Sequence, residues 1–196
     1  MKKWLSVTVM LCLALGMAVF ASASAEAVGE RYGPYLYVNT KGGMCLDNPN
    51  SSTANNTQMI VYTCSGNKNQ QWYNKLEYTN NDFWTYNNAS ILCLTVQNNR
   101  TDNNAPIIQF TCNSGNNERW VYDKYTCPGQ CAWPATKTYN GVTWKLVNVF
   151  RIRHLGTNMC ITVKNNSAAS NQPLLQYDCA SPGANVFMQY VQTALP

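Results

Sequence analysis

Nine cysteines are the side chains whose spacing most constrains what chemistry this chain of 196 residues can carry. Six of them form pairs 19 apart: Cys45 and Cys64, Cys93 and Cys112, Cys160 and Cys179. Cys127 and Cys131 lie four apart, and Cys12 stands alone near the start. Cysteines 19 apart, with one histidine in the whole chain, match no structural zinc pattern. Three residues between Cys127 and Cys131 is not the thioredoxin spacing of two, so thiol redox catalysis is not expected. Crosslinking is the remaining chemistry. Setting Cys12 aside leaves an even number, as a disulfide framework in an exported chain requires. The repeated spacing selects Cys45–Cys64, Cys93–Cys112 and Cys160–Cys179, and by remainder Cys127–Cys131. Each of the three long bridges closes a loop that stabilises the fold by roughly 3 kcal/mol in the chain-entropy account.

Catalysis finds little to build on. His154 is the only histidine, and it falls on an expected strand, where a structural role is the simpler reading. There is no G-x-S-x-G, no H-E-x-x-H and no P-loop. The acidic residues are too scattered to nominate a glycosidase pair. The expectation is a non-enzymatic protein without cofactor or metal.

The first 27 residues read as an address. Lys2 and Lys3 precede an apolar run from Leu5 to Phe20, and small-x-small triplets between 21 and 27 offer cleavage sites near 23–27. The apolar run is shorter than the roughly 20 residues a span needs, and no second long one follows, so a cleaved signal peptide and no membrane span are expected. The protein would then be secreted, to the extracellular space or the periplasm. Removing Lys2, Lys3 and Glu26 leaves twelve basic and eight acidic residues, a net +4 with no basic run, which gives nucleic acid no footprint. A surface poor in charge and rich in Asn, Thr, Ser and Tyr suits neutral polar partners.

The elements that must position these groups follow a threefold repeat. Eight residues after each second cysteine stands an aromatic, Trp72, Trp120 and Phe187; ten before each first cysteine stands another, Tyr35, Phe83 and Phe150. Asn56, Asn104 and Asn171 each lie eight before the second cysteine, where a turn with positive φ suits asparagine. Short β-branched and aromatic stretches separated by Gly, Asn, Ser and Thr predict four strands per copy, twelve in all, and little helix. Three such units closing on a common axis would bury the aromatic triplets and leave no open strand edge. The copies span about 33–78, 81–124 and 148–193 within one domain, 28–196. An insertion, about 125–144, separates the last two; its Cys127–Cys131 pair reads as a stapled surface hairpin that shows Trp133 to solvent, or as a contact loop for a partner protein or an extended glycan.

Cys45-Leu46-Asp47, the loop Thr53-Ala54-Asn55-Asn56-Thr57 and the closing Gln70-x-Trp72, returning in weaker form twice, resemble the ricin-type β-trefoil lectins with their Q-x-W signature. The resemblance implies an all-β fold, a β-trefoil of three pseudo-threefold-related four-stranded repeats stapled by disulfides within each repeat, and a shallow sugar site in each lobe. In the first copy it places Asp47 as the sugar-gripping carboxylate, Tyr62 as the aromatic platform, Asn69 as the pocket amide and Gln70 as the support behind the aspartate. The chemistry is sound: a carboxylate accepts from vicinal hydroxyls, an aromatic covers the apolar face of a hexose, and an amide donates and accepts. Ile60 stands where the family has a strand glutamine. The second copy keeps Phe110 and Asn117, weaker candidates, but has Thr95 for the aspartate and Glu118-Arg119-Trp120 for the signature. The third has Thr162, Asn185-x-Phe187 and Ala184, and keeps only Tyr177. The partner implied is a glycan or glycoconjugate, of galactose or N-acetylgalactosamine type, held at one main site. Alternatives are a protein partner, as the targeting subunit of a toxin-like assembly, a trefoil protease inhibitor, or a small hydrolase.

Overall fold

Six strands form a closed antiparallel ring. They are β1 (Arg31–Asn39), β5 (Trp72–Leu76), β6 (Asp82–Asn87), β9 (Trp120–Lys124), β11 (Val142–His154) and β14 (Val186–Gln192), each paired with the next and β14 with β1. This computed structural model describes residues 30–76, 82–129, 131–180 and 184–193. The expected leader, 1–27, lies outside the described residues.

One end of the barrel is capped by three hairpins, each carrying one 19-residue disulfide. β2 (Cys45–Asp47) pairs with β4 (Ile60–Tyr62), β7 (Cys93–Val96) with β8 (Ile107–Phe110), and β12 (Met159–Val163) with β13 (Gln172–Asp178). The hairpins join one another as well. β3 (Thr57–Gln58) pairs with β8, β4 with β13, and a bridge links Pro106 to Leu175, closing a triangle. On the axis of that triangle the Gln58 amide nitrogen donates to the carbonyls of Met59 (3.3 Å), Ile107 (2.9 Å) and Leu174 (2.7 Å), which are equivalent positions of the three copies. This is the β-trefoil, with barrel and cap both closed so that backbone groups find partners without exposed edges.

The core is built from matching triplets. Leu46, Leu94 and Ile161, then Met59, Ile107 and Leu174, then Trp72, Trp120 and Phe187 all lie in one cluster and are fully buried. In β11 burial alternates through Phe150, Ile152 and His154, the period of two that a strand with one inward face requires. The other aromatic triplet is not uniformly buried: Phe150 is inside, while Tyr35 and Phe83 are half-buried around the open end of the barrel, where side chains from different lobes leave a cavity.

The count is fourteen strands among the described residues, two more than four per copy. Met59 interrupts the third strand of the first copy, and β10 (Thr136–Tyr139) belongs to the insertion, where it pairs with the start of β11. Among the described residues helix is confined to short 3-10 turns. Asn56, Asn104 and Asn171 take φ of 64°, 66° and 59°. A second set five residues after each first cysteine does the same, Asn50, Asn98 and Asn165 at 56°, 53° and 55°. The structure bonds Cys45 to Cys64, Cys93 to Cys112, Cys127 to Cys131 and Cys160 to Cys179. Trp133 is half-buried against a second cluster that contains Trp144, Leu36, Val38, Cys45 and Tyr190, so it is not displayed to solvent as the composition of the insertion suggested.

Candidate functional site

Asp47 ends β2 and pairs with Ile60 across the first hairpin, which carries its side chain to the edge of the cap. The residue is only 3% exposed. Oδ2 accepts from the Gln70 amide at 2.8 Å and from the Asn69 amide at 3.0 Å. Both donors sit on one 3-10 turn, Lys68–Gln70. Gln70 fixes that turn: its nitrogen also donates to the Thr63 carbonyl at 2.9 Å, and its oxygen accepts from the backbone of Ser65 and Gly66 at 2.7 and 3.1 Å. Asn69 is held by a second bond to the Asn48 carbonyl, 3.2 Å. Oδ2 is thereby saturated, and among the described residues no donor reaches Oδ1. That oxygen keeps its capacity to accept hydrogen bonds.

The opening beside Asp47 is a cleft of about 640 Å³. Tyr62, at the end of β4, forms one side and is 47% exposed. Asn50, Ser51, Ile60, Asn67, Asn69 and Asn171 complete much of the lining. Burial pushes the Asp47 carboxyl above the ordinary carboxylate range, and the bonds from Gln70 and Asn69 oppose that rise. The arrangement supplies a carboxylate acceptor, an aromatic face and several amides in one open site.

The other lobes diverge from this pattern. The Thr95 hydroxyl turns back to the Cys93 carbonyl at 3.0 Å, and the Asn117 amide reaches the Val96 carbonyl at 3.4 Å. Phe110 is half-buried nearby. In the third lobe Ala184 is buried, Asn185 donates to the Cys179 carbonyl, and Tyr177 is half-buried. The structure therefore brings Asp47, Tyr62, Asn69 and Gln70 together and assembles no equivalent set around Phe110 and Asn117.

Asn67 lines the first cleft without a signal in the sequence, and it is joined there by Ile60, which stands where the family has a strand glutamine, and by Asn171, expected only as a turn residue. Asn171 belongs to the third copy and arrives because β13 pairs with β4, a closure that spacing within one copy does not reveal. Two glutamines were also passed over. Gln109 donates to the Ser52 and Ala54 carbonyls and Gln176 to those of Arg100 and Asp102, so each ties down the loop of the preceding copy. Their recurrence three residues before the second cysteine was the available signal. His154 has a structural place, with Nε2 2.8 Å from the Asn116 carbonyl and Nδ1 2.9 Å from the Thr157 hydroxyl; burial lowers its pKa.

Glu118 occupies the position that Gln70 fills in the first lobe. Its Oε2 accepts from the Asn113 backbone at 3.0 Å, but Oε1 is buried without a partner. Burial raises its pKa, opposed by the backbone bonds from Asn113 and Ser114. A carboxyl whose folded pKa is raised contributes stability that is present below its unfolded pKa and is lost as pH rises through the folded one. Glu118→Gln replaces the orphan oxygen with a donor, as in Gln70. The expected gain is about 1–2 kcal/mol at pH 7, vanishing below about pH 4. Urea unfolding at the two pH values measures it, and an equal effect at both would show that ionisation of Glu118 is not the cause.

Residues 35–128 match the family described as the ricin-type beta-trefoil lectin domain. No curated protein matches the chain in sequence. Among solved structures, the designed threefold-symmetric protein ThreeFoil is 23% identical with a TM-score of 0.60, over 83% of this chain and 99% of that one. The ricin B-like lectin of Macrolepiota procera, solved in complex with lactose, is 15% identical with a TM-score of 0.57, over 83% of this chain and 96% of its own. An exo-beta-1,3-galactanase from Clostridium thermocellum is 20% identical with a TM-score of 0.64; 87% of this chain is covered but only 32% of the enzyme.

Proposed function

From a chain that carries a ricin-type beta-trefoil lectin domain, we infer a carbohydrate-binding protein whose main site is the first-lobe cleft of Asp47, Tyr62, Asn69 and Gln70. The observation that carries this reading is the asymmetry of Asp47. One carboxylate oxygen is fixed by two amides, and the other has no donor among the described residues and sits beside an exposed tyrosine ring. Vicinal sugar hydroxyls satisfy the free oxygen, and the apolar face of a pyranose covers the ring. The ligand is of galactose or N-acetylgalactosamine type, a choice supported by the lactose complex of the similar Macrolepiota procera lectin. The function is binding without turnover; the similarity to the galactanase spans about a third of that enzyme. One open polar site gives weak monovalent affinity, and a millimolar Kd is only about −4 kcal/mol, so a multivalent glycan surface or self-association would be needed for tight attachment. Export is part of the same proposal, supported by the basic and apolar start of the chain and by four disulfides.

A glycan array probed with the mature protein and with Tyr62→Ala tests the reading. Selective binding to terminal galactose-type sugars is expected, weakened about tenfold in the variant by loss of the aromatic face. Binding that Tyr62→Ala leaves intact would remove this cleft from consideration. No binding by the unmodified protein would instead favour a protein contact, as in the targeting subunit of a toxin-like assembly.

A further inference from the structure

The insertion between the second and third copies folds back onto the first. Its hairpin, β10 and the start of β11, turns through Asn140 and Gly141, both at positive φ (49° and 75°). Asn140 tolerates this backbone and Gly141 is free of the penalty, so the two form an unstrained two-residue hairpin turn. The base is anchored too. Trp144 is buried in a cluster with Leu36, Val38 and Cys45, and Cys64 packs against the same cluster, so the hairpin rests on the first-lobe disulfide.

At the tip, the Asn140 amide donates to Asn67 Oδ1 at 2.8 Å. A Cβ added to Gly66 would lie 2.9 Å from Tyr139 Cβ, so hairpin and loop are in close contact beside that bond. Asn67 lines the first-lobe cleft and immediately precedes the turn that carries Asn69 and Gln70. With Oδ1 engaged, the orientation of the Asn67 amide is set. Its nitrogen has no hydrogen-bond partner among the described residues. The corresponding residue of the second lobe is Gly115, which has no side chain to offer.

We propose that Asn67, positioned by Asn140 of the insertion hairpin, is the donor of a second sugar subsite, so that the first-lobe cleft recognises a disaccharide or longer glycan. Three observations converge. The insertion touches the lobe that holds the complete Asp47 set, it holds one cleft amide through Asn140, and the open cleft of about 640 Å³ falls within the range of small-molecule sites and extends past Asp47 and Tyr62 to Asn67. Asn140 acts as a positioning residue. Asp47 and Tyr62 hold the terminal ring, and Asn67 donates to a hydroxyl or acetal oxygen of the ring that follows.

This inference rests on the first-lobe cleft being the sugar site, and the test separates the two. Titration calorimetry with galactose and with β1,3- and β1,4-linked galactose disaccharides would compare the unmodified protein with Asn140→Ala and Asn67→Ala. The expected result is tighter binding of at least one disaccharide than of galactose. Asn140→Ala would then reduce that disaccharide's affinity three- to tenfold, the range of one neutral hydrogen bond, and leave galactose affinity unchanged, while Asn67→Ala would lower disaccharide affinity by more than it lowers that of galactose. Equal losses for galactose and disaccharide would overturn the subsite and make the hairpin a general support. No loss for either would also overturn it, as would disaccharides bound no better than galactose, while the first-lobe site would stand. Absence of all sugar binding would remove the underlying reading instead.

Discussion

Asp47→Ala is expected to lower galactose affinity by about ten- to a hundredfold while the trefoil stays folded. Hydrogen bonds to an ionised group contribute about 1.5–3 kcal/mol each, and the free Oδ1 is placed to accept one or two from a sugar. Stability should hardly change at neutral pH, for two reasons. Gln70 keeps its bond to the Thr63 carbonyl and Asn69 its bond to the Asn48 carbonyl after the carboxylate is gone, so neither amide is orphaned. The raised pKa of Asp47 also means that its ionised form is disfavoured by burial in the folded state. Any stability the group contributes is present below its unfolded pKa and is lost as pH rises through the folded value. Binding runs the other way. The ligand needs the carboxylate, so affinity falls on acidification, with a midpoint above the ordinary aspartate value of about 3.9. Calorimetry across pH 3–7, with circular dichroism to confirm the fold, measures both trends. A variant that binds as the unmodified protein does, or an affinity indifferent to pH down to 3, would rule out Asp47 as the grip.

Much of this architecture was legible because the repeat writes it three times. The cysteine spacing and the Leu46, Leu94, Ile161 set recur because each hairpin must cap the same barrel, and that recurrence separated scaffold from site. The first-copy residues were legible for the opposite reason: Asp47, Tyr62, Asn69 and Gln70 occur together only once. What the spacing could not show was contact between copies. Asn171 enters the first cleft through a β13–β4 pairing, and Asn140 reaches Asn67 across 73 positions of chain. Gln58 was invisible for a related reason. Its partners are three equivalent carbonyls, yet the equivalent positions hold Pro106 and Pro173, which have no side-chain donor, so no repeated glutamine marks the axis. The half-buried Trp133 differs from expectation because a loop read by composition gives no sign of the apolar surface it will meet.

The second large effect lies in the scaffold, at Trp72. Its ring is fully buried, and the indole nitrogen donates to the Leu46 carbonyl at 3.0 Å; Trp120 does the same to Leu94 at 2.8 Å. Phe187 fills the third place with no such donor. Trp72→Ala is expected to cost about 3–5 kcal/mol through the cavity, with the orphaned Leu46 carbonyl adding to it, out of a total stability of the order of 5–15. Trp72→Phe, the choice already made in the third lobe, should cost about 1–2 kcal/mol, mostly from the lost hydrogen bond. Urea denaturation midpoints at fixed m-value compare the two. The phenylalanine variant carries a second consequence. β2 is only Cys45-Leu46-Asp47, and each residue is fixed by a different device: a disulfide to Cys64, the Trp72 indole and the amides of Gln70 and Asn69. Releasing the middle residue leaves both ends held, so galactose affinity should fall no more than about threefold while stability drops. A phenylalanine variant as stable as the unmodified protein would show that the indole bond contributes nothing. One that loses binding as completely as Asp47→Ala would show that the middle of the strand, and not its ends, sets the carboxylate.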